Sequence, residues 1–94
     1  MVAPVEIQAG DSLLSAEARN ISVAGMLIRS SSTFPEQTVA RFSFSLPGTP
    51  QKISVGGVIL HVSPDAYMGV RFDDISPADR AAMEQFVNQS AESI

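Results

Sequence analysis

Val5, Ile7 and Ala9 alternate with Glu6 and Gln8. Successive side chains of a β-strand point to opposite faces, so this pattern predicts a strand with one buried face. Gly10-Asp11-Ser12 supplies turn chemistry. A second strand is expected from about Leu13 to Ile21, with Leu14, Ala16 and Ala18 on one face. Gly25 to Arg29 is short and apolar and predicts a third. Ser30-Ser31-Ser32-Thr33 breaks the pattern, and Phe34-Pro35-Glu36 carries the chain around a corner. The alternation is clearest in the fourth strand, where Ala40, Phe42, Phe44 and Leu46 point one way and Val39, Arg41, Ser43 and Ser45 the other. Pro47-Gly48-Thr49-Pro50 predicts a turn. The run from Ile53 to Val62 opens with Ile53 and Val55 on one face. After Gly56-Gly57 its apolar set becomes Val58, Leu60 and Val62, and this change of parity at a glycine pair predicts a bulge or bend. Ser63-Pro64-Asp65 ends that strand. Met68, Val70 and Phe72 then form the inward set of a last strand, with Tyr67, Gly69 and Arg71 outward.

The period changes at Ser76-Pro77-Ala78-Asp79. A serine N-cap, a proline at the first helical position and an acid in the first turn together start a helix. It is expected over about residues 77–89, with Ala82, Met83, Phe86 and Val87 as its apolar stripe and fraying after Asn88. Short strands at regular spacing without crossover helices predict an antiparallel barrel or sandwich over about residues 3–73. The helix has to bury its stripe, most simply across an open end of the barrel. Residues 1–94 read as one domain.

Composition narrows the function. The 94 residues are 45% hydrophobic, enough for one modest core. The formal charge is −4, from six basic and ten acidic residues, so no global field attracts nucleic acid or anionic lipid. No apolar run approaches the roughly 20 residues of a membrane-spanning helix, and the first residues lack the features of a signal peptide. A chain without cysteine has no disulfides and no thiolate chemistry, in keeping with a cytoplasmic setting. His61, the lone histidine, has no second histidine or cysteine with which to build a metal site, and reads as a structural strand residue. Asp73 and Asp74 are adjacent, so in extended structure they face opposite ways and cannot work as a carboxylate pair. Ser22 has no base partner in its sequence context. No catalytic residues, cofactor or metal are therefore expected. Phe42, Phe44, Phe72 and Phe86 read as core, whereas Phe34 and Tyr67 fall off the inward pattern, with exposed contact as the lesser of their two readings.

One stretch carries more. Asn20-Ile21-Ser22-Val23-Ala24-Gly25 has the form (D/N)xSxxG between two predicted strands. By itself it reads as a polar turn with a glycine in the left-handed region. Its context includes Phe34-Pro35, Leu46-Pro47-Gly48, Gly57-Val58-Ile59, Met68-Gly69-Val70-Arg71-Phe72 and the helix start Ile75-Ser76-Pro77-Ala78-Asp79-Arg80. In this order, from about Val5 to Val87, the chain resembles PilZ domains. The resemblance implies a six-stranded antiparallel barrel with a C-terminal helix packed at one end. It also implies binding of cyclic diguanylate (cyclic-di-GMP) and signalling through contact with a protein partner. The residues it marks as ligand contacts are Asn20, Ser22 and Gly25. Short polar side chains such as Asn20 and Ser22 can hydrogen-bond the edges of a guanine at low entropic cost, and Gly25 permits close approach.

The chain departs from the family at one point. PilZ receptors generally carry an RxxxR motif before the first strand, whose arginines grip the ligand through forked, charge-assisted hydrogen bonds. Here the first basic residue is Arg19. Either the motif has been lost or it lies before Met1. Weak or absent dinucleotide binding is the expectation for these residues. The alternative is a true receptor that uses arginines outside the sequence given, or Arg19 and Arg71 in their place.

Overall fold

The computed structural model describes residues 3–22, 24–45 and 52–92, with side chains as far as Phe86. The elements are β1 (Ala3–Ala9), β2 (Ser12–Ile21), β3 (Gly25–Arg29), β4 (Val39–Ser45), β5 (Lys52–Val62), β6 (Tyr67–Asp74) and α1 (Pro77–Glu92). The strands pair antiparallel in the order β1-β2-β3-β6-β5-β4, and β4 returns to β1, so the sheet closes into a barrel. The six-stranded antiparallel barrel and the C-terminal helix expected from the sequence are both present.

Alternation decides which residues fill the barrel. β1 contributes Ala3, Val5 and Ile7, β3 Met26 and Ile28, β4 Ala40, Phe42 and Phe44, β5 Ile53, Val55 and Ile59, and β6 Met68 and Val70. Ala18 and Ile21 of β2 join them. Leu14, Ala16 and Phe72 are half-buried against this cluster. The ring of Phe72 stacks on that of Phe44 at 6.4 Å between centroids. Phe34 is no exposed contact point, because its ring is half-buried against the core. Tyr67 is also half-buried, with the Arg29 guanidinium 6.0 Å from its ring centre.

The parity change in β5 lies elsewhere than the glycine pair suggests. The inward set runs Ile53, Val55, Gly57 and Ile59 without a break, and the step comes at Leu60. Ile59 pairs with Val70 and His61 with Gly69, which leaves Leu60 as the extra residue. Leu60 is 42% exposed, and Val62, opposite Met68, returns to the inside. Val58 sits on the outer wall opposite Val39 and Arg71, outside the core cluster. A register shift does occur at Gly56/Gly57, and there it is Asp73 of β6 that goes unpaired. Gly57 faces inward, where an added Cβ would come within 2.6 Å of the Arg71 carbonyl and 3.3 Å of the Phe42 ring. The glycine makes room for the β6 backbone first and for the Phe42 ring beside it.

Helix α1 starts as expected: the Asp79 N–H donates to Ser76 Oγ at 3.2 Å and the Arg80 N–H to the Ser76 carbonyl at 2.9 Å. It continues to Glu92 rather than ending near residue 89. Met83 is fully buried within the core cluster, and Ala82 and Phe86 pack beside it. A wall closed by strands on all sides admits a helical side chain only through an end, so α1 caps the barrel through Met83. Val87 lies outside the described side chains, as do Leu46 and the turn through Pro50.

The capping role predicts that Met83→Ala lowers stability by about 2–5 kcal/mol, the cost of emptying a filled core position. Arg80→Ala on the exposed face should cost under about 1 kcal/mol. Urea unfolding of the two variants checks this, and equal midpoints would show that the helix adds nothing to the core.

Candidate ligand-binding face of the barrel

The site residues come together through two bulges. In β2, Ala18 pairs with Ile28 and Asn20 with Leu27, so Arg19 is an extra residue with no partner across the ladder. Leu14, Ala16 and Ala18 set an even inward parity, which would turn Asn20 into the core. The bulge reverses it: Ile21 is buried, and Arg19 and Asn20 are both exposed. The bulge at Leu60 does the same in β5, where unbroken parity would bury His61. A row of outward positions then crosses four strands, from Asn20 to Leu27 to Gly69 to His61.

The turn between β2 and β3 is held by its serine. The Ser22 N–H donates to the Gly25 carbonyl at 2.8 Å. Ser22 Oγ accepts from the N–H groups of Ala24 at 3.3 Å and Gly25 at 3.2 Å, and donates to the Gly25 carbonyl at 3.3 Å. A hydroxyl has one donor and two acceptor sites, so this turn engages most of what Ser22 offers. The Phe72 N–H donates to the Ala24 carbonyl at 2.8 Å and ties the turn to β6.

Gly25 has a different reason from the one its motif suggests. It is not in the left-handed region; Gly10 is the described glycine with positive φ. Gly25 pairs with Arg71, and an added Cβ would collide with the Val70 carbonyl oxygen. The close approach that requires a glycine here is that of the β6 backbone.

Asn20, Ser22, Gly25 and Arg71 line one shallow depression of about 500 Å³. Leu27, Leu60, His61 and Gly69 are among the other residues that line it, and sequence reasoning named none of the four for the site. Met26, Leu27 and Ile28 are all apolar, so the local sequence does not mark Leu27 as the one that faces outward. Nothing local marks Leu60 and His61, since both depend on the bulge. The His61 side chain is exposed, with Nδ1 3.6 Å from the Glu36 carboxylate. That carboxylate also accepts the Val62 N–H at 3.1 Å. Arg19 stands apart from the lining, with its guanidinium 3.4 Å from Glu17. Among the described residues no group of three or more histidine, cysteine, aspartate or glutamate side chains is placed to hold a metal ion. Among the same residues no helix is long and apolar enough to cross a membrane.

A barrel with its NxSxxG turn on the outer wall matches a known family by sequence as well: the model of the PilZ domain covers residues 1–89. The chain belongs to the PilZ domain family. PilZ domains are regulatory modules that bind cyclic diguanylate, and they are not enzymes. Among solved structures, the Bacillus subtilis inhibitor of motility (MotI/DgrA) superposes with a TM-score of 0.79 at 19% identity, over 98% of this chain and 48% of that one. The chain thus spans about half the length of that neighbour. The PilZ domain of CeSA from a cellulose-synthesizing bacterium superposes with a TM-score of 0.71 at 12% identity, over 97% of this chain and 94% of that one. At these identities the likeness is one of fold. No curated protein matches the chain in sequence.

Two substitutions separate fold from ligand contact at the motif. Gly25→Ala should lower stability by about 1–3 kcal/mol through the clash with β6. Ser22→Ala should lower it by about 1 kcal/mol through the lost turn hydrogen bonds. Chemical denaturation reads both. An unchanged midpoint for Ser22→Ala would show that the hydroxyl contributes nothing to the turn and is spare for a ligand.

Proposed function

We propose that this PilZ domain is a regulatory module of cyclic diguanylate signalling that acts by contact with a protein partner and, by itself, binds the dinucleotide weakly. The observation that supports this is the depression itself. It gathers Asn20, Ser22 and Gly25, yet Arg71 is the one arginine lining it among the described residues. The Ser22 hydroxyl is spent largely on its own turn, and Arg19 leans on Glu17. The ligand is a dianion, and the chain carries −4. Two missing charge-assisted contacts at roughly 1.5–3 kcal/mol each would weaken binding by about two to four decades. A cytoplasmic setting goes with this reading. Outputs of the kind named for the two neighbours, motility and cellulose synthesis, are the ones to assay.

A second reading keeps the domain a true nucleotide receptor, and the place of Arg71 in the depression favours it. Its remaining cationic contacts would come from Arg19 or from residues before Met1.

Isothermal titration of cyclic diguanylate into the 94-residue chain tests the first reading. The expected outcome is a dissociation constant well above the low-micromolar range, weakened further by Arg71→Ala. Low-micromolar or tighter binding overturns it. Binding of that strength in an N-terminally extended chain alone would establish the second reading.

A further inference from the structure

The outer wall is not uniform. Over β1 and the later part of β4 it presents Glu6, Gln8, Arg41 and Ser45 to solvent. Where β4 begins beside β5 it turns apolar. Val39 is 72% exposed and stands opposite Val58, and the exposed Leu60 follows two residues along β5. Single exposed apolar residues need no explanation, but neighbouring ones on a small domain mark a contact surface. The charges around this patch select its occupant. Arg71 flanks it on β6, opposite Val58. Arg19, Arg41 and Arg80 each reach a carboxylate, and Arg29 lies over the Tyr67 ring. Among the described residues Arg71 is the exposed arginine with neither kind of partner. Glu36 flanks the patch at another corner. The Gln37 N–H donates to the Ile59 carbonyl at 2.6 Å and the Ile59 N–H to the Thr38 carbonyl at 3.0 Å, which holds this segment along β5. The Glu36 carboxylate accepts the Val62 N–H and stays half exposed.

We propose that this patch is an interface between two copies of this chain, with a twofold axis lying along the line from Val39 to Leu60. Strand geometry sets the layout. Arg71 is two strand spacings from Val39, about 10 Å across the sheet. Glu36 is three residues from Val39, about 10 Å along the chain. The two charges therefore sit at similar distances on either side of the Val39–Leu60 diagonal. A surface that covers the patch has to bring a carboxylate to Arg71, a cation to Glu36 and apolar groups between them. The patch turned over about that diagonal is such a surface. Val39 and Leu60 then meet their own copies, and Arg71 of each chain meets Glu36 of the other. A twofold interface uses one surface twice, so it needs this self-complementarity. The half-dozen residues involved fall short of the roughly 20–30 residues a side of a stable interface. Each copy also carries −4, which opposes association. The dimer is accordingly weak and concentration-dependent. It goes beyond the regulatory reading and requires no nucleotide.

Sedimentation equilibrium of the nucleotide-free chain, from micromolar to millimolar concentration, tests this. The weight-average mass should climb from 10.0 kDa toward twice that value. Val39→Asp changes an exposed side chain, so it should keep the melting temperature and hold the chain monomeric. Gln8→Asp, on the polar part of the wall, should associate like the parent. Arg71→Glu and Glu36→Arg each set like charges against one another across the axis. Either one should weaken association at least about tenfold. The two combined restore opposite charges and should recover it. A chain that stays monomeric into the millimolar range overturns the proposal. A dimer that survives Val39→Asp, or a folded double variant that fails to recover association, overturns it as well. Should Glu36→Arg unfold through its lost bond to Val62, Val39→Asp decides by itself.

Discussion

The ladder between β1 and β4 turns a six-stranded sheet into a closed wall. Val5 stands opposite Phe44, Ile7 opposite Phe42, and Gln8 opposite Arg41. Without these pairs both strands would be edges, with unpaired N–H and carbonyl groups open to other chains. With them, every strand has two neighbours and one inward face. Six strands enclose a space in which side chains such as Phe42, Ile59 and Met68 are fully buried. The depression that gathers the motif residues lies on the outer wall, where an alternating pattern normally offers only scattered polar groups.

Two bulges solve that problem. A one-residue step in a strand exchanges its inner and outer sets. At Arg19 the step brings Asn20 outward, and at Leu60 it brings His61 outward. The strands between them, β3 and β6, keep their register with each other, and Leu27 and Gly69 lie side by side. The candidate site is therefore a property of four strands, with its two polar ends placed by irregularities.

The NxSxxG motif serves the fold of this domain. Ser22 fastens the turn and Gly25 lets β6 come close, and both effects exist without any ligand. Their retention in a domain is thus poor evidence of nucleotide affinity. Affinity for a dianion depends on cations held at the site, and the lining offers Arg71 in a chain of net negative charge. A regulatory domain can keep the motif for its architecture and carry its signal through a protein surface.

Much of the fold was legible in the chain because alternation is a local signal. Ala40, Phe42 and Phe44 declare their inward face within one strand, and Ser76 declares the helix start within one turn. The outward position of Arg71 and the Asn20–Gly25 turn were legible for the same reason. Leu60 and His61 were not. Between Ile53 and Val62 the sequence contains two plausible parity switches, one at the glycine pair and one at Leu60, and only pairing with β6 selects the second. Phe34 was legible only as a residue off the inward pattern, because its burial depends on strands distant in sequence. Period and capping act over a few neighbours, so the residues by themselves determined six strands and a terminal helix, and the order of motifs from Asn20 to Arg80 carried the resemblance to a family. Tertiary structure decided which side chains share the outer depression, because register between strands far apart in sequence is set by packing the whole barrel at once.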